Sequence, residues 1–259
     1  MSTKHSKAAG EFLKNKDMAA WHDETLWMVR AKRDKMSKEV PEWEQLRDAA
    51  CALKMYSNSH LDQLLQEFEK NALANGAYVY WAKDAEEYCK IIYNILNGHQ
   101  VKHFIKSKSM LAEECGLNEY LEEKGIEVVE SDLGERILQL MHKKPSHIVM
   151  PAIHIKKEEI GELFVREMGT EPGNNDQTYL THAARKNLRQ KFIHAEAAMT
   201  GANFAVASTG ECVVCTNEGN ADMGTSQPKL QITAFGLEKI VPDREALGVF
   251  TRLLARSGT

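Results

Sequence analysis

The hydrophobic periodicity of this 259-residue chain changes once, at Gly76, and that change limits the folds open to it. Before Gly76, apolar residues recur at helical spacing. In "PEWEQLRDAACALKMY", Trp43, Leu46, Ala50 and Leu53 share one face. In "SHLDQLLQEFEKNALANG", Leu61, Leu64, Leu65 and Phe68 do the same, with Ser59 and Asp62 resembling a capping box and Gly76 as the stop. The earlier "HDETLWMVRAKRDK" also reads as helix, with both charge signs on a solvated polar face. After Gly76 come short apolar runs: "AYVYWA" (77–82), "VKHFIKS" (101–107), "IEVVESD" (126–132) and "HIVMPA" (147–152). Asp84 and Glu87 open a helix between the first two, and "MLAEECGLNEYLEEKG" supplies one between the next two, broken near Gly116. Strand, helix, strand at this rhythm predicts a parallel sheet covered by helices.

The C-terminal half adds a long helix, "YLTHAARKNLRQKFIHAEAAMTG", then three closely spaced strands, "NFAVAST", "CVVCT" and "LQITAFG". Only Gly210 and Glu211 separate the first two, so a hairpin is expected and the sheet becomes mixed. A last helix, "DREALGVFTRLLARS", begins after Pro242 with Asp243 as its cap. The expected architecture is an α/β domain over 76–259, its mixed, mostly parallel sheet flanked by helices, behind a helical extension over 1–75.

Composition excludes several classes. A net charge of −4 gives no electrostatic case for nucleic acid. Five dispersed cysteines do not make a secreted disulfide framework. The N-terminus lacks the apolar core of a signal peptide, and no run of about 18 apolar residues spans a membrane. A cytoplasmic, reduced protein is the expectation.

Cys212 and Cys215 form C-x-x-C downstream of His194-Ala195-Glu196, an arrangement reminiscent of zinc deaminases. The run Cys-Val-Val-Cys-Thr reads as strand, however, and residues three apart on a strand face opposite ways. Glu211 rather than proline precedes Cys212. No metal site is therefore expected there. His142, His147 and His154 match no helix-face ligand spacing and are expected to be isolated. Glycine signatures for dinucleotides or a P-loop are absent.

"KSKSMLAEE" is the more informative stretch. It stands where a parallel strand gives way to a helix, with Ser109 as N-cap and Lys106, Ser107 and Lys108 beside it, the makings of an anion cradle or of an ordinary capped turn. Ligands of open α/β sheets collect at strand carboxyl ends. The next strand ends in "ESDLGE", where Glu130, Asp132, Gly134 and Glu135 could join those lysines in one polar site or in loop ion pairs. Thr200, Gly201 and Asn203, with Thr216, Asn217, Glu218, Gly219 and Asn220, complete the expected pocket rim. Asn217, Gly219 and Asn220 suit turns with positive φ.

"KSKSM", "GIEVVESDLGE", "SHIVMPAIH", "TGANFAVASTG", "TNEGNADMG" and "GLEKIVP", in this order, resemble the lactate utilization protein B family, iron–sulfur proteins with an N-terminal LUD domain. "HDETLWMVRAKRD", "VPEWEQLR" and "GAYVYWAKDAEE" look like that family's N-terminal extension. The resemblance implies a sheet similar to sugar isomerases and CoA transferases. It also implies a cytoplasmic role in oxidising L-lactate to pyruvate, with a cysteine-rich partner and a second LUD-domain protein. Family members carry C-x-x-C-x-x-C clusters further on, whereas this chain stops at "TRLLARSGT". It is expected to hold the LUD domain alone, with no cofactor of its own and iron–sulfur clusters only in the family's C-terminal part. Three readings stand: a ligand- or partner-binding scaffold, a CoA-transferase-like or ligase-like enzyme using Glu130, Asp132 or Glu218, and a zinc deaminase, which the cysteine placement disfavours.

Overall fold

The computed structural model describes residues 2–147 and 150–257. Four helices come first: α1 (Ser2–Phe12), α2 (Lys16–Lys38), α3 (Trp43–Ser59) and α4 (Leu61–Ala74). The capping box does not form. Ser59 ends α3 and donates its hydroxyl to the Tyr56 carbonyl, while His60 joins the two helices without a side-chain cap. The run 77–82 is extended but pairs with no strand among the described residues. Its aromatic residues lie along the surface, with Tyr78 85% exposed and the Trp81 indole N–H donating to Glu69. Propensity makes a strand only where a sheet edge receives it.

Then follow α5 (Ala85–Gly98), β1 (His103–Lys106), α6 (Met110–Glu114), α7 (Leu117–Glu123), β2 (Glu127–Glu130) and α8 (Leu133–Met141). Asp84 caps α5 as expected, accepting from the Glu87 amide, and Gly116 breaks α6 from α7 in the left-handed region. Of the expected strand 147–152, Ile148 and Val149 lie outside the described residues, and Pro151–His154 is a turn. After α9 (Lys157–Met168) and α10 (Gln177–His194) comes β3 (Ala197–Gly201). The long helix thus stops short, and "AAMTG" becomes a central strand, because its small apolar residues fill the space between β1 and the next strand. The chain ends with β4 (Phe204–Val206), β5 (Glu211–Val213), α11 (Asn220–Ser226), β6 (Leu230–Ala234), β7 (Ile240–Val241) and α12 (Arg244–Ser257). Asp243 caps α12 through the Ala246 amide.

The fold is α/β, and the expected mixed sheet is divided between two. One is fully parallel, in the order β2-β1-β3-β6; the other is β5-β4-β7, where β4 and β5 form the hairpin and β7 runs parallel to β4. Helices cover both faces of the parallel sheet, so β1 and β2 are buried from their second residue onward instead of alternating. Phe104, Val128 and Met199 pack with α5 and α7 on one side; Ile105, Val129 and Ala198 pack with Leu188 and Phe192 of α10 on the other. The second sheet rests on α4 through Leu64, Phe68 and Ala72 against Ala205, Ala207 and Ile240. Gly210 makes that approach possible: its φ is +71°, and a Cβ there would lie 2.3 Å from the Ala72 nitrogen.

Candidate functional site at the strand carboxyl edge

The parallel register sets Lys106, the last residue of β1, beside Glu130, the last of β2, and Met199 of β3. Hydrogen bonds continue past the strands, from Ser107 N–H to the Met199 carbonyl and from Ser131 N–H to the Lys106 carbonyl, fixing both loops. Lys106 Nζ lies 2.7 Å from Glu130 Oε1 with both side chains almost wholly buried, and Asn118 Nδ2 donates to the same oxygen at 2.7 Å. Two residues further along each loop, Lys108 Nζ lies 3.2 Å from Asp132 Oδ2. Asp132 Oδ1 caps α8 by accepting from the Glu135 amide, and Ser109 Oγ caps α6 by accepting from the Ala112 amide. The expected single polar site therefore forms, but as a charge-balanced pair of ion pairs, and the lysines are not an open anion cradle.

Burial, followed by the charge of Glu130, pushes the Glu135 carboxyl up to about 9 against the pull of Lys106. Glu135 is a neutral carboxylic acid at pH 7. Its side chain hydrogen-bonds the Glu130 carboxyl, and Oε2 of each is buried with no other partner among the described residues. One proton shared between the two groups satisfies both oxygens. Glu218 reaches the same cluster from the loop after β5. Desolvation and the Asp132 charge raise its carboxyl, while the Leu133 N–H and Lys108 oppose the rise. Glu113 is raised by desolvation, with Lys106 pulling the other way. Asn118 and Glu113 were invisible as site residues in the sequence, because only the packing of α6 and α7 over β1 and β2 brings them to Glu130.

The other expected rim residues are distributed. Ser107 is buried, and Gly201 passes close to the Lys108 carbonyl and Ser109, so both belong to the floor. Gly134 admits Pro151, whose Cγ would lie 2.9 Å from a Cβ there. Thr200 is fully buried and accepts from the Gln231 side-chain amide, tying β3 to β6. Asn203 instead closes the hairpin end, its Oδ1 accepting from the Cys215 amide at 2.7 Å. Thr216 donates to Asp222 of α11, Asn217 is exposed, and Asn220 begins α11. Of the three residues expected at positive φ, Gly219 adopts it and the two asparagines do not, since α11 takes up the backbone there.

Cys212 lies on β5 opposite Ala205, but Cys215 lies beyond the strand's end, correcting the expectation that both share it. Cys89 is buried in the α5 core, its thiol donating to the Cys115 carbonyl. This dispersed set does not fit a cubane cluster, which needs about four converging thiolates. Among the described residues no three His, Cys, Asp or Glu side chains are grouped to hold a metal ion. Glu196 accepts from the Lys102 and His103 amides, and His194 donates Nδ1–H to the Gln190 carbonyl, at the opposite, amino-terminal edge of the sheet. His142 closes α8 at φ +53°, His147 accepts from the Met150 amide, and His154 pairs with Ser146.

The LUD domain family model matches residues 65–259. Proteins named "Lactate utilization protein B" from Bacillus thuringiensis (strain Al Hakam), Bacillus cereus (strain B4264) and Bacillus anthracis (strain A0248) are each 44% identical over 226 residues, covering 87% of this chain and 47% of the relative. The chain thus spans about half the length of the curated relatives it matches. No solved structure matches it. With the family model covering the parallel sheet, its carboxyl edge and the second sheet alike, the chain belongs to the LUD domain family.

Proposed function

We propose that this chain supplies the LUD domain of a cytoplasmic lactate-utilization protein and that its carboxyl edge holds a small carboxylate. In this reading it serves L-lactate oxidation to pyruvate as a binding scaffold beside a cysteine-rich partner and a second LUD-domain protein, with iron–sulfur clusters and electron transfer supplied by sequence outside this chain. The relatives' name supports the pathway. The observation that carries the site is the pairing of Lys106 with Glu130 and Lys108 with Asp132 at the ends of neighbouring parallel strands. Lys106 is locked by burial, whereas the partly exposed Lys108 can exchange Asp132 for a ligand carboxylate. Neutral Glu135 then leaves the cluster without a surplus negative charge to repel it. Calorimetric titration with L-lactate and pyruvate at pH 7 tests this. Saturable binding that weakens at least about tenfold in Lys108→Met, the loss of one charge-assisted contact, is expected; no saturable heat with either acid refutes it.

A second reading, an acyl-transferring enzyme of the CoA-transferase kind, draws on Glu218. This raised carboxyl on an exposed loop has the chemistry to attack a thioester, forming a C–O bond as the C–S bond breaks and thiolate leaves. Trapping an acyl-enzyme with hydroxylamine after incubation with acetyl-CoA would favour it. An unmodified Glu218 would dismiss it.

A further inference from the structure

A cleft of about 330 Å³ opens at the other edge of the sheet, where the last turn of α10 passes the amino ends of β1 and β2. That volume is at the small end of ligand pockets, roughly 300–1,000 Å³. Its walls are mostly apolar, formed by Phe104, Ile105, Val129 and Ala195, and they continue into the packed layer beneath α10. Polar groups are confined to the mouth. Glu127 stands between two of them, Oε1 accepting from Lys191 Nζ at 2.5 Å and Oε2 lying 2.8 Å from His103 Nδ1. The His194 ring is fixed by donating Nδ1–H to Gln190, which leaves Nε2 as its remaining polar atom. Glu196 pins the backbone at the start of β1, so this edge is braced on both sides of the cleft.

We propose that this cleft is a second binding site, separate from the carboxyl edge, for a compact monocarboxylate with an apolar body. The apolar walls take the body, and Lys191 at the mouth takes the carboxylate. Glu127 uses one of the three ammonium donors of Lys191 and neutralises none of the others, so its part is to orient Lys191 and His103 over the opening. A fully polar acid gains nothing from walls of Phe104, Ile105 and Val129. An ester of the same body forfeits the charge-assisted contact with Lys191.

Benzoate, its methyl ester and acetate, titrated separately into the intact chain and followed by amide and imidazole NMR shifts, test the proposal. Saturable shifts with benzoate at His103, Lys191 and His194 are expected, with acetate and the ester each at least about tenfold weaker, as the loss of a buried ring or of an ionic hydrogen bond implies. Lys191→Met should weaken benzoate by a similar factor. Ala195→Trp, which fills the cleft from its partly exposed wall, should abolish the shifts, and Lys108→Met should leave them unchanged. Shifts that do not saturate, that centre on Lys108 and Leu133, or that survive Ala195→Trp overturn the proposal. Because the two edges carry different reporter residues, failure here is distinguishable from failure of the carboxyl-edge reading.

Discussion

Lys106 and Glu130 form an ion pair, 2.7 Å apart, at the last rung shared by β1 and β2, with 2% and 6% of their side chains exposed. Neighbouring parallel strands in register bring the two ends side by side, and the covering helices remove the water. A buried pair of this kind tolerates loss of both charges better than loss of one. Lys106→Met should destabilise the fold by about 3–5 kcal/mol, and Lys106→Met combined with Glu130→Gln should recover part of that. Urea unfolding of the two variants measures the difference. Lys90→Ala, which breaks the exposed pair with Glu86, should leave the midpoint unchanged.

Stability should fall as pH rises across the range set by Glu135. Its carboxyl titrates at about 9 in the folded chain against an ordinary value of 4.5, so between these values the native state holds a proton that the unfolded state has released. The contribution is complete below 4.5 and is lost as pH climbs through about 9. Glu135→Gln keeps a neutral hydrogen-bonding group at all pH values and should flatten this slope. Unfolding free energies at pH 5, 7 and 9 compare the two proteins, and an equal slope in both would contradict the neutral assignment.

Gly210→Ala should cost more than Gly76→Ala. Both glycines have positive φ, which costs an alanine on the order of 1 kcal/mol. At Gly76 a Cβ meets open space, whereas at Gly210 it meets the α4 backbone at 2.3 Å. The Tm difference between the two variants isolates the contact between α4 and the second sheet.

A chain shortened to begin at residue 76 should lose cooperative unfolding, because Leu64, Phe68 and Ala72 of α4 cover Ala205, Ala207 and Ile240. The side chains of Asn71 and Asn75 also donate to the Ala207 and Thr209 carbonyls. A chain beginning at residue 61 retains α4 and should unfold in one calorimetric transition. Scanning calorimetry separates these outcomes.

The sequence by itself determined the elements whose signals are local. The change of period at Gly76, the caps at Asp84, Ser109 and Asp243, the break at Gly116 and the short loop of the β4–β5 hairpin all rest on contacts within a few residues, and all stand in the structure. The tertiary structure decided what depends on neighbours distant in sequence. "AAMTG" is a strand because β1 and β6 flank it, and "AYVYWA" is not one because no edge receives it. The same division runs through the site. "KSKSM" and "ESDLGE" were legible as strand-end loops, but the charge balance of Lys106, Lys108, Glu130 and Asp132 arises only from the parallel register. Glu135 keeps its proton because helices packed from elsewhere in the chain exclude water from the cluster, and no pattern along the backbone records a desolvation.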